Sequence, residues 1–252
     1  MEFHSETVAA ERSACARPRI ELAIRPVAMT SICMIADTHR RHREVVVPPC
    51  DVLIHCGDIG SFGEDEAATF ADADAWFAGA PAKHVLCVGG NHDFALETRA
   101  HRLANARLVE DELVEVEGLA IYGSPWCPGL PDFAYFKDGN GLAERWSRIP
   151  TGIDILITHT PPHGILDLPT GREVQLGCSL LRRELARIEP RLHVFGHVHA
   201  SHGALVDGGT EYVNAAIVGG RDLTVRNQPT MRWMEPKPVG IGQRLQRWIS
   251  RA

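Results

Sequence analysis

Five short blocks carry the residues best suited to chemistry: Asp37-Thr38-His39, Gly57-Asp58, Gly90-Asn91-His92-Asp93, Thr158-His159 and Gly196-His197-Val198-His199. Carboxylate and amide oxygens mixed with imidazoles suit Mn, Fe or Zn rather than Ca or Mg alone. In the pairs Asp37/His39 and His197/His199 one residue intervenes, which on an extended segment points both side chains the same way. The glycines before Asp58, Asn91 and His197 let the backbone turn sharply and approach an ion or a phosphate.

Each block closes a short apolar run. Strands are predicted over residues 31–36, 52–56, 83–88, 153–158 and 192–195. Ligands of open α/β sheets collect beyond the carboxyl ends of the strands, so five such ends can build one site. Between them, residues 67–78 show helical spacing around Phe70, Trp76 and Phe77, and helices are also predicted over 142–146 and 180–188. Residues 113–116 and 119–122 read as a hairpin about Glu117-Gly118, and 204–206 with 211–213 as strands about Asp207-Gly208-Gly209. The Pro- and Gly-rich stretch 160–177 reads as a loop.

The 252 residues suit one domain, taken as 30–236, with an N-terminal extension over 1–29 and a basic tail over 237–252 that holds a short helix at 244–250. Lys plus Arg is 26 against 32 Asp plus Glu, a net charge of −6 without a basic run, which argues against dedicated binding of duplex nucleic acid. A small nucleotide stays open as substrate, because site metals supply positive charge. The seven cysteines form no C-x-x-C pair and several lie in apolar runs, which suits a reducing cytoplasm. No apolar stretch is long enough to span a membrane, and residues 1–29 lack a continuous apolar run of the signal-peptide kind.

The ordered series resembles the signature of the calcineurin-like metallophosphoesterases, D-x-H, G-D, G-N-H-[DE], H and G-H-x-H, spread over residues 32–214. Asp51-Val52-Leu53-Ile54-His55, Tyr122-Gly123-Ser124-Pro125-Trp126, Pro161-Pro162-His163-Gly164 and Leu192-His193-Val194-Phe195-Gly196 are similar to a narrower branch, the metallophosphoesterase-domain-containing proteins. The resemblance implies a four-layer α/β/β/α sandwich of two mixed sheets. It implies two divalent ions, Mn first and Fe, Zn or Mg as alternatives. Asp37, His39, Asp58 and His199 would hold one, and Asp58, Asn91, His159 and His197 the other. His92 would serve as general acid or as donor to the phosphoryl group, with Asp93 fixing its tautomer and raising its pKa. The implied activity is hydrolysis of a small phosphodiester by water activated between the ions, cyclic nucleotides leading. A phosphomonoesterase or nucleotidase is the alternative, and a nucleotide-binding scaffold with a vestigial site a third. Some members of the narrower branch carry Gly at the place of His197; the His here implies a full binuclear centre. Ile59-Gly60-Ser61-Phe62-Gly63 stands where phosphoprotein phosphatases carry an Arg, which speaks against phosphoprotein substrates.

Around these blocks, Arg40 is a candidate phosphate contact and His163 a candidate pocket residue. Trp126, like Phe133, Tyr135 and Phe136, either packs in the core or offers a wall on which a base stacks. His55, His84 and His193 are read as structural, His4, His42, His101 and His202 as solvated, and Cys178 as packing. Asn214 either orients a ligand histidine or forms a turn.

Overall fold

The computed structural model describes residues 29–61, 65–171, 173–219 and 222–236. The expectations for the N-terminal extension up to residue 28, for the tail 237–252 with its helix, and for His4 lie outside the described residues. In chain order the strands are β1 Thr30–Ile35, β2 Cys50–His55, β3 Ala82–Cys87, β4 Arg107–Leu108, β5 Glu112–Val116, β6 Leu119–Ser124, β7 Ile155–Thr158, β8 Leu192–Phe195, β9 Gly203–Asp207, β10 Thr210–Asn214, β11 Val218–Gly219, β12 Thr224–Val225 and β13 Thr230–Met234. The helices are α1 Glu66–Ala78, α2 Phe94–Glu97, α3 Gly139–Ser147 and α4 Ser179–Ile188.

Two mixed sheets carry the fold, in the orders β13-β1-β2-β3-β4 and β5-β6-β7-β8-β10-β9. The inner strands run parallel, while β13, β5 and β9 join antiparallel at the edges. Alternation along each strand explains the layering. Ile32, Met34, Val52 and Ile54 of the first sheet share one buried cluster with Ile121, Ile155, Ile157 and Val194 of the second. The intervening Cys33, Ile35, Leu53 and Leu156 point the other way, into a cluster with the helix residues Phe70, Phe77, Trp146, Leu181 and Leu185. Both faces of β1, β2, β7 and β8 are therefore largely buried, which is why these strands read as apolar runs, whereas β3 is buried only at its carboxyl end, Leu86 and Cys87. The outcome is the four-layer sandwich.

The helices follow from local signals. Asp65 caps α1 by accepting the Ala68 amide at 3.1 Å, and Thr69, Phe70, Ala73 and Phe77 form its buried stripe. Asp138 caps α3 in the same way, at 2.7 Å from the Gly141 amide. Cys178 ends the loop 160–177 as the cap of α4, its Sγ accepting from the Leu181 amide. Strand β13 escapes sequence reading because it is an edge strand of half-buried residues with Arg232 and the exposed Trp233 inside it. The two-residue β4, β11 and β12 and the four-residue α2 are too short to show a period.

Candidate metal centre

The five blocks meet at one end of the sandwich. Asp37 and His39 follow β1, Asp58 follows β2, Asn91 follows β3, His159 follows β7, and His197 and His199 follow β8. The first sheet thus supplies the oxygen donors and one imidazole, and the second sheet supplies three imidazoles. The turns differ from the extended geometry expected for the x-separated pairs. Asp37, His39, Asp58 and His197 have φ of 53°, 40°, 57° and 69°, and His199 opens a short 3-10 turn, His199–Ser201. Left-handed backbone, rather than the strand pleat, turns each pair toward the site. Such conformations cost a non-glycine residue roughly 1–2 kcal/mol and persist only where the surroundings enforce them. Two glycines act by close approach. A Cβ on Gly90 would lie 2.3 Å from the Asp58 carboxylate and 2.8 Å from the His159 ring, and one on Gly196 would lie 2.2 Å from Asp37 Oδ2.

The tautomers reveal what the centre is built for. His39 Nδ1 lies 2.9 Å from the Gly60 carbonyl, and His159 Nδ1 lies 2.8 Å from the Cys56 carbonyl. A carbonyl only accepts, so each Nδ1 donates, and a neutral ring then aims an Nε2 lone pair into the site. The His39 lone pair meets His199 Nε2 at 3.2 Å and Asp58 Oδ2 at 3.6 Å. That of His159 meets Asn91 Oδ1 at 3.0 Å and Asp58 Oδ2 at 3.5 Å. Asn91 Oδ1 also lies 2.8 Å from His197 Nδ1, and Asp37 Oδ1 lies 3.5 Å from His199 Nε2. Acceptors facing acceptors in a buried place is the arrangement a cation resolves. Three overlapping groups, Asp37/His39/His199, His39/Asp58/His92 and Asp58/His159/His197, keep their candidate ligand atoms within 4.8 Å of one another. The donor set therefore fits divalent transition metals.

Without a cation, a proton takes its place. Burial opposes charge on Asp58, yet His159 and His39 hold its pKa well below the carboxylate range. Burial likewise opposes charge on His159, and the Asp58 carboxylate more than offsets it, raising the imidazole to about 9. His197 goes the other way, to about 4, through burial and the neighbouring His159 charge. In metal-free protein the His159–Asp58 pair adds stability that is complete below the ordinary imidazole value of 6.5 and is lost as pH rises through about 9. Coordination needs the neutral ring, so bound metal gains on the proton over that same window. The melting temperature of metal-loaded protein minus that of chelator-stripped protein should thus be larger at pH 9 than at pH 6.5. A gap that shrinks with pH contradicts this assignment.

The supports behind the donors were only partly expected. Asp93 spends its two oxygens on the backbone amides of Asp58 (2.9 Å), Gly60 (2.8 Å) and Gly90 (2.8 Å). This corrects the expectation that it orients His92: its two oxygens are committed to two turns, and burial and the nearby Asp58 charge hold its carboxyl up at about 7. The expected rise in His92 pKa is also corrected. Burial pushes it down, against the pull of Asp58. His92 nevertheless stands at the centre, its Nε2 3.9 Å from Asp58 Oδ2 and its ring edge-on to His39 at 4.9 Å. Asn214, fully buried, donates to the Leu166 carbonyl at 3.1 Å and to the Val198 carbonyl at 2.9 Å. It fixes the segment between His197 and His199 through the backbone, rather than a ring. The structural histidines are closer to the centre than expected. His55 joins the Thr38 hydroxyl at 3.0 Å and His193 the Thr158 hydroxyl at 2.9 Å, each beside a donor residue. Burial pushes both imidazoles down to about 3, so they are neutral props.

On the substrate side, Trp126 requires correction. It is buried, its indole N–H donates to Asp111 Oδ2 at 2.8 Å, and Lys137 Nζ and Arg145 Cζ lie 4.2 and 4.8 Å from its ring centre. No ring face remains for a base. Tyr135 is buried against it, whereas Phe133 comes edge-on to His92 at 5.7 Å. His163 is exposed, and none of the three donor groups includes it. Arg40 is exposed and lines a cleft of about 590 Å³ that also reaches His39. His42, expected in solvent, is buried and bonded to Asp72 at 2.8 Å. His84 is exposed beside Glu117. Asp167 was missed: buried in the loop 160–177, it accepts the Gly164 and Gly177 amides at 2.9 and 3.0 Å. The Gly/Asp composition of that loop was the only available signal. Among the described residues no helix is long and apolar enough to cross a membrane.

Comparison with known proteins agrees with this geometry. The Calcineurin-like phosphoesterase family model matches residues 30–201. Metallophosphoesterase domain-containing protein 1 of Homo sapiens is 34% identical over 237 residues, covering 82% of this chain and 70% of its own length. A UPF0046 protein of Caenorhabditis elegans is 36% identical over 205 residues, covering 73% of this chain and 69% of its own. The crystal structure of TT1561 of Thermus thermophilus shares the fold with a TM-score of 0.50 at 13% identity, covering 74% of this chain and 89% of that one. The chain belongs to the calcineurin-like phosphoesterase family, the metal-dependent phosphoesterases, within the branch of the metallophosphoesterase-domain-containing proteins.

Proposed function

We propose that the protein is a phosphodiesterase for small diesters, cyclic nucleotides leading, working in the cytoplasm with two divalent ions, Mn first. The observation that carries this reading is the set of lone pairs facing one another at Asp58, with His39 Nε2 at 3.6 Å and His159 Nε2 at 3.5 Å. Asp37, His39, Asp58 and His199 would hold one ion, and Asp58, Asn91, His159 and His197 the second. When bound, the ions supply charge that draws a proton from water near neutral pH and neutralises phosphoryl oxygens. The chain's own residues do the rest. Asp58 Oδ1 is held by the His92 amide at 2.8 Å, which leaves Oδ2 toward His39 and His159. The His92 ring, part-buried beside this carboxylate, donates a hydrogen bond to the phosphoryl group or to the leaving oxygen. Its lowered pKa keeps it a neutral N–H donor at pH 7. The six described cysteines are buried and unpaired, which supports the cytoplasmic assignment.

The direct test compares turnover of bis(p-nitrophenyl) phosphate and p-nitrophenyl phosphate with Mn, Fe, Zn and Mg. Faster diester hydrolysis is expected, and metal-loaded protein inert on every diester ends the proposal. Faster monoester turnover would assign a nucleotidase instead. His92→Ala should lower kcat on the diester by about 100-fold, the size of one lost hydrogen-bond donor to developing charge, with metal content unchanged. Equal losses on esters with good and poor leaving groups would limit His92 to holding the phosphoryl group.

A further inference from the structure

We propose that the cleft between the loop 160–177 and Arg226 selects substrates by a planar aromatic group on the phosphoryl ester, a specificity that rests on the phosphoesterase reading above. The cleft is about 580 Å³ and runs from His197 and His199 to Pro169, Leu176 and Arg226. The loop lines one wall with Pro169, Thr170 and Leu176, and further exposed apolar side chains of the same loop lie beyond the lining. Of the eight large hydrophobic side chains exposed among the described residues, Leu168, Val174 and Leu176 lie in this one loop. Apolar surface gathered at the rim of a polar site marks a ligand groove more often than chance exposure does.

That wall is held in place. The Asp167 carboxylate gathers the amides of Gly164 and Gly177 across the loop. The Ser201 hydroxyl accepts the Leu168 amide at 3.1 Å and donates to the Leu168 carbonyl at 2.7 Å, which ties the loop to the turn that begins at His199. The other wall offers a planar cation. Arg226 Nε donates to Thr224 Oγ1 at 3.2 Å and Nη2 to Asp222 at 3.2 Å, and the aliphatic stem lies where a Cβ on Gly219 would come within 2.6 Å. A guanidinium fixed in this way stacks on flat π-faces, which an ammonium cannot do. The cleft that Arg40 lines is walled instead by charged groups such as Arg41, Asp65 and Asp72. A flat aromatic substituent, whether nucleobase or simple aryl, matches the cleft at Leu176 and Arg226.

Calorimetric binding of phosphonates to the Mn-loaded protein tests this, because a P–C bond resists hydrolysis. Phenylphosphonate should bind about tenfold more tightly than methylphosphonate, the size of a single stacking contact, and more tightly than cyclohexylphosphonate, whose ring is more apolar but not planar. Leu176→Asp and Arg226→Ala should each bring the phenyl-to-methyl ratio toward one, and Arg226→Lys should do so too, since it keeps the charge without the plane. Val206→Asp, on the exposed edge strand β9, should leave the ratio alone. A ratio near one in the unaltered protein, an equal preference for cyclohexyl, or a ratio that ignores Leu176→Asp and Arg226→Ala overturns the proposal. AMP against ribose 5-phosphate identifies the source: a gain for AMP assigns nucleotides, and a gain for phenyl alone assigns simple aryl esters. Selective binding by a protein inert on esters would sink the phosphodiesterase reading only, and turnover without selectivity would sink this one only.

Discussion

Asp58→Asn should lower kcat by at least about 1,000-fold, on the order of 4 kcal/mol of barrier, and reduce bound metal below two ions per chain. The substitution is nearly isosteric, so the loss is one of charge. Asp58 is the one residue shared by two of the three donor groups that also reaches both His39 and His159 from a single oxygen. An amide at that position would offer a weaker, uncharged acceptor and leave the buried His159 and the half-buried His197 without the carboxylate of their donor group. A second signature separates this from a general folding defect. The carboxylate is what holds His159 up at about 9 against burial, so the stripped variant should show His159 titrating below the ordinary imidazole value. Metal analysis, kinetics and imidazole NMR check the three parts. An Asn variant that keeps two tightly held ions and near-native turnover would remove the bridging role.

Asp93→Ala should destabilise the fold by about 3 kcal/mol, the low end for three buried amide donors at about 1–3 kcal/mol each, because burial opposes the Asp93 charge and its removal relieves that cost. In a chain of this size that is a drop in melting temperature of roughly 10 °C. The amides of Asp58, Gly60 and Gly90 belong to the turns after β2 and β3, which carry the bridging carboxylate and Asn91. Metal affinity should fall with stability, and Asp93→Asn, retaining one acceptor oxygen, should lie between. Were Asp93 instead a partner of the His92 ring, the variant would melt normally and displace the pH–rate profile. Thermal melts and a pH profile of the same variant decide the matter.

Much of this was legible in the chain. Each strand that bears a donor lies within two residues of its expected limits, because parallel strands buried on both faces are unbroken apolar runs that end abruptly in Gly, Asp, Asn or His. The identity of the seven candidate ligands came from motif order, and the structure brings all of them together. Local geometry was less legible. The spacing of Asp37 and His39 was compatible with a strand pleat, yet both residues adopt left-handed backbone, which Asp and His enter more readily than most residues but which their type does not dictate. Asp93 misled because it follows His92 in sequence, whereas its partners Asp58 and Gly60 lie more than thirty residues upstream. Trp126 stayed open between core and stacking wall for a related reason: its role depends on Asp111, Lys137 and Arg145, which only the fold brings near.

The division of donors between the sheets has a mechanical consequence. Asp37 and Asp58 belong to one half of the sandwich, His159, His197 and His199 to the other, and pairs such as Asp37 and His197 are 160 residues apart. Metal held by these donors would thus fasten the seam between the halves, and cross-links that close long loops withdraw the most freedom from the unfolded chain. Chelation should therefore loosen amide protons at the open ends of both sheets together, while the far ends, joined by aliphatic packing and by polar ties such as Thr30 to Glu117 and Arg232 to Glu211, stay protected.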